Sequence, residues 1–139
     1  MRLLAAAALL ATGCAAPSVP SGRARFDTYC AACHQPEGQG LPGGGPPLAG
    51  SPWVSGSESR LIRIVLHGVR GPVTVGGVTT DREMLGFGQI LSDDEIASLL
   101  TFVRARFGEA PPVNAESVKR ARTPERFEYW TVAELLEIP

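Results

Sequence analysis

Apolar residues recur at helical spacing in separate blocks along the chain. Between Arg23 and Cys33, Phe26, Tyr29, Cys30 and Cys33 follow one another at intervals of three and four, which predicts one helix, and Gly22 at its start allows close backbone approach. Ser57 can cap a second helix that carries Leu61, Ile62, Ile64, Val65 and Leu66 and stops at Gly68. The best-marked helix opens with a capping box, Ser92 and Glu95, and a staple, Leu91 and Ile96; its apolar stripe is Ile96, Leu99, Leu100, Val103 and Phe107, widened by Phe102 to touch two neighbours. Alternation replaces this period only at Val73 to Thr80, where Gly76-Gly77 predicts the turn of a small β-hairpin.

Between these blocks, Gln35 to Pro52 is dense in Gly and Pro, which excludes long helix or regular strand and predicts a wrapping loop. After Phe107, Gly-Glu-Ala-Pro-Pro marks a boundary. A polar stretch from Asn114 to Arg122 follows, and then an amphipathic end from Thr131 to Ile138 with a second capping box, Thr131 and Glu134. This tail is too thin for a second domain, and packing of the tail on the domain is the expectation.

The whole chain has 139 residues, room for one domain, and its 14 acidic against 13 basic residues, without a run of one sign, give no footprint for nucleic acid. The first residues add more. Arg2, the apolar stretch Leu3 to Ala11, and Thr12-Gly13 before Cys14 resemble a bacterial lipoprotein signal. That resemblance implies removal of residues 1–13, a lipid on Cys14, and a tether over 14–21; the alternative is ordinary signal cleavage near Ala15 or Ala16. Either route exports the protein, to the bacterial periplasm. No later segment is apolar over the 18 residues a span requires, so membrane attachment would be through lipid alone. With three cysteines, one stays unpaired in any disulfide scheme, whereas one lipidated and two holding a cofactor leaves none over.

Cys30-Ala31-Ala32-Cys33-His34 is the attachment signature of c-type haem. Two thiols at i, i+3 on a helical turn face one edge of a porphyrin, and His34 is then directed to the iron. A zinc site would need more donors than His67 and Cys14 offer, and a thioredoxin-like pair would need a strand-helix-strand context that this motif lacks. For the sixth ligand the candidates are Met84, His67 and Lys119, or no ligand at all. Met84 leads, as the only methionine beyond the first residue, in a loop fifty residues after His34. A core-filling role is the ordinary alternative for a methionine, and a capping or hydrogen-bonding imidazole is the ordinary expectation for His67. A carbonyl from Pro46 or Pro47 can accept the Nδ1 proton of His34, and Leu48, Leu61, Ile64, Leu85 and Leu99 are expected to cover the ring. An iron with both axial positions filled has no open site for substrate, so one-electron transfer without an enzymatic reaction is expected.

Together, the Cys30 to His34 motif, Pro46-Pro47-Leu48 after a Gly-rich loop, Met84 before a capped helix, and Leu99 to Phe102 within it resemble class I cytochromes c. The resemblance covers residues 22–108 and leaves 109–139 as a C-terminal extension. It implies a mainly α fold of four to five helices around one covalent haem c, with Gly22 and Phe26 crossing Leu99 and Phe102. Leu66 to Pro72, the hairpin, and Trp130-Thr131 are similar to cytochrome domains that accompany bacterial quinoprotein and other membrane-linked dehydrogenases. The partners so implied are redox proteins, a dehydrogenase as donor and an oxidase or cytochrome as acceptor. Leu85 stands where that family usually has a proline after the methionine, which leaves the loop without that source of rigidity.

Overall fold

A computed structural model describes residues 21–139; Cys14, the leader, and all of the tether but Ser21 lie outside the described residues. Ser21 accepts from the Ala24 N–H and opens α1 (Gly22–Tyr29). The single helix predicted over 23–33 is interrupted at Cys30, which departs from helical geometry at φ −119°. The Cys33 and His34 N–H groups both return to the Cys30 carbonyl, so a new turn, α2 (Ala31–His34), starts there. Ser51 caps α3 (Pro52–Ser55), with proline at the first helical position, so the Gly/Pro loop ends in a helical turn. Ser57 caps α4 (Glu58–His67), and Gly68 at φ +79° ends it, as the sequence predicts.

Three short strands follow α4: β1 (Gly68–Arg70), then β2 (Val73–Val75) and β3 (Val78–Thr80) as the antiparallel hairpin, turned at Gly76 and Gly77 with φ of +58° and +79°. Met84 does not lie in a free loop. It begins β4 (Met84–Leu85), antiparallel to β1. The box Ser92/Glu95 is formed at the start of α5 (Asp93–Val103), and a π-helical turn (Arg104–Gly108) continues that helix and brings Phe107 into the core. The polar stretch after Asn114 forms α6 (Ala115–Arg122), whose Val118 and Ala121 are buried against α4 and α5. The chain closes with β5 (Trp130–Thr131), parallel to β1, and α7 (Val132–Leu136), where the Thr131/Glu134 box is formed. Seven α-helices are thus present among the described residues; the excess over four to five is the single turns α2, α3 and α7. No helix among them is long and apolar enough to cross a membrane.

The crossing of α1 and α5 organises the core. A Cβ at Gly22 would stand 2.8 Å from the Ser98 carbonyl carbon and 2.9 Å from Phe102 Cβ, so only glycine permits this approach. One turn on, Phe26 is fully buried with its ring 5.5 Å from Phe102 and 5.3 Å from Phe107, and Arg25 pairs with Glu95 beside it.

Candidate functional site: an apolar cavity between His34 and Met84

The elements just described enclose a cavity of about 390 Å³. Cys30, Cys33 and His34 line it from the α1–α2 junction, and Met84 lines it from β4, so the structure brings together the four residues the sequence singles out for haem attachment and ligation. Between them the wall is apolar: Leu61, Ile64 and Val65 of α4, Leu99 and Leu100 of α5, and Leu48 from the loop. Leu85 reaches the cavity as well but is 64% exposed, which places it at the mouth and not in the interior.

His34 is buried, and its Nδ1 lies 2.8 Å from the Pro46 carbonyl oxygen. That bond distinguishes the two prolines the sequence leaves equivalent. A carbonyl only accepts, so Nδ1 carries the proton. Burial holds the imidazole below its ordinary pKa despite the Pro46 bond, which keeps the ring neutral and leaves the Nε2 lone pair for a metal. Gly45 allows the geometry, since a Cβ there would come within 3.0 Å of Nδ1, Cε1 and the Cys33 carbonyl oxygen. Burial, with the neighbouring Cys33, pushes the Cys30 thiol up to about 12, so before reaction this sulfur is a protonated apolar group. Among the described residues neither cysteine is in a disulfide.

The hairpin closes one side. Thr80 Oγ1 donates to the Gly44 carbonyl at 3.0 Å and Arg82 to the Gly43 carbonyl at 3.0 Å, which ties β3 and the segment after it to the loop that follows His34. His67 does not line the cavity; its Nδ1 lies 3.0 Å from the Arg126 carbonyl oxygen, so it serves the tail and not the site. Among the described residues no three His, Cys, Asp or Glu side chains converge as a metal-binding group.

An apolar slot lined by two thiols, a buried neutral imidazole and a thioether fits a flat apolar macrocycle with a central metal. The site therefore has the form of a c-type cytochrome. The chain belongs to this family: residues 17–103 match the one described as cytochrome C oxidase, cbb3-type, subunit III. It is 38% identical over 109 residues to cytochrome c-552 of Thermus thermophilus, covering 71% of this chain and 82% of that protein. It is 34% identical over 120 residues to the cytochrome c subunit of a quinone alcohol dehydrogenase from Gluconacetobacter polyoxogenes, covering 82% of this chain but 24% of that subunit. It is also 31% identical over 109 residues to the CcoP subunit of a cbb3-type cytochrome c oxidase from Azospirillum sp., covering 76% of this chain and 36% of that one. One covalent haem c is the cofactor of this domain, and electron transfer is its class of function.

Proposed function

We propose that the chain carries single electrons on a haem attached through Cys30 and Cys33 and ligated by His34 and Met84. The observation that carries this reading is the placement of a buried His34 and of Met84 on the wall of one apolar cavity. Bound there, the haem supplies an iron that cycles between two oxidation states. The residues do the rest. Pro46 fixes the His34 tautomer and strengthens it as a donor, and the α4 and α5 side chains exclude water. With Met84 as a ligand, the iron would have no open position for a substrate or gas, and no bond would be made or broken in turnover. Carbon monoxide added to the reduced holoprotein at neutral pH tests this: exclusion is expected, and tight binding would favour an enzymatic or gas-sensing role.

The wider setting belongs to the same proposal. Residues 1–13 direct export and are removed, Cys14 carries a lipid, 14–21 tether the anchor, 22–108 form the cytochrome domain, and 109–139 are an extension laid on it. The chain then works at the periplasmic face of a membrane, passing electrons from a dehydrogenase toward an oxidase or a further cytochrome. The dehydrogenase and oxidase subunits among its relatives support that direction. Pelleting with membranes that is lost in Cys14→Ser is the expected result for the anchor.

A further inference from the structure

We propose that the C-terminal strap, residues 126–138, is the positioning element for Met84, acting through the strand both of them share; the inference rests on Met84 being the axial ligand. The ligand strand β4 is two residues long and has Leu85, not proline, directly after Met84, so neither a long ladder nor a proline stiffens it. Downstream it is anchored by the Phe87 and Gly88 N–H groups, which donate to the Val65 and Leu66 carbonyls. Laterally its support is β1, and the other edge of β1 is occupied by the strap, in the order β4-β1-β5.

The register makes this support specific. Met84 is opposite Val69, and Val69 is opposite Trp130, so the three side chains leave the sheet on one face. That face packs on Ile64 and Leu135, with Met84 and Trp130 both against the cluster. Gly68 is the pinch point: a Cβ there would strike the Met84 carbonyl oxygen on one side and lie 2.7 Å from Tyr129 Cδ1 on the other.

The strap itself is held at several points. Arg126 lies 3.9 Å over the Trp130 ring and pairs with Glu134 at 3.0 Å, while its carbonyl faces His67 Nδ1. Arg60 donates to the Leu135 and Ile138 carbonyls, both at 2.8 Å. Leu135 is fully buried. Loss of the Trp130 ring removes the outer support of β1 and frees β4 to carry Met84 away from the iron.

The test uses ferric holoprotein titrated with imidazole, followed by loss of the far-red charge-transfer band that marks methionine on ferric haem. Imidazole enters only when Met84 is off, so its apparent affinity reports the off population. Trp130→Ala is expected to raise that affinity on the order of tenfold, the scale of coupling between packed neighbours. Trp130→Phe is expected to keep the wild-type value, because the buried Trp130 Nε1 has no hydrogen-bond partner among the described residues to lose. Val118→Ala, in α6 away from the strap, is expected to lower overall stability with no change in imidazole affinity. An unchanged affinity in Trp130→Ala, or an equal rise in Val118→Ala, overturns the role of the strap. A wild type without the band removes the methionine ligation itself, and the inference falls with it.

Discussion

Gly22→Ala asks whether the crossing of α1 and α5 is set by a missing methyl group. Gly22 follows the Ser21 cap, and its backbone is compatible with alanine, so conformational entropy and helix propensity together favour the substitution by about 0.5–1 kcal/mol. The new Cβ, however, would lie 2.8 Å from the Ser98 carbonyl carbon and 2.9 Å from Phe102 Cβ, with the carbonyl oxygen nearer still. Ordinary carbon contacts begin near 3.5 Å, so α1 must retreat by about 0.7 Å or more, and the obstacle is helix backbone that cannot swing aside. Such overpacking costs about 1–3 kcal/mol. The retreat also disturbs the pairing of Phe26 with Phe102 and Phe107, about 0.5–1.5 kcal/mol each when lost entirely. The net expectation is a loss of about 2 kcal/mol, or a urea midpoint lowered by about 1 M for an m-value near 2 kcal/mol/M. Far-UV circular dichroism of holoprotein in urea measures it. An alanine variant as stable as wild type would refute the packing argument, since only the backbone terms would then remain.

Other perturbations probe the rest of the structure. Arg104 is buried and donates to the carbonyls of Pro111 at 2.8 Å and of Val54 and Gly56 at 3.2 Å; Arg104→Leu is expected to cost about 3 kcal/mol in the same urea assay. Gly45→Ala crowds the His34 ring against its Pro46 bond and is expected to raise the reduction potential, because a weaker imidazole donor stabilises the ferric state less; voltammetry of the holoprotein reads the sign. Burial, with Arg126 and Arg122 nearby, holds His67 below its ordinary 6.5, so His67 binds the proton better once the strap is detached and docking weakens as pH falls below about 6.5. Glu134, held down to about 2 by the Thr131 N–H and hydroxyl and by Arg126, keeps its contribution above its ordinary 4.5 and loses it as pH falls toward 2. Limited proteolysis of the strap against pH is expected to show a first rise below about 6.5, abolished in His67→Gln.

Local chemistry was readable in advance. The boxes Ser92/Glu95 and Thr131/Glu134, the Gly76-Gly77 turn and the stop at Gly68 all form where side-chain identity alone dictates them. The Cys30 to His34 motif and Met84, the one methionine among the described residues, line the same cavity. The β4-β1-β5 sheet was hidden, because strands of two or three residues carry no period and their pairing joins segments far apart in sequence. α6 shows in the sequence only as a polar stretch; its signals are Asn114, whose side chain accepts from the Ser117 N–H, and the pair Val118 and Ala121. The arginine clamps were equally silent. Arg60, Arg104 and Arg122 bind backbone carbonyls in other segments, and a sequence shows a charge in each case but not the orphaned carbonyl that it meets.

The central proposal is that Met84 completes the iron coordination, and the visible spectrum of ferric wild type beside Met84→Ala tests it directly. The far-red charge-transfer band is expected in wild type and absent from the variant, whose reduced form should bind carbon monoxide. A high-spin wild type, or a band that survives the substitution, would contradict it.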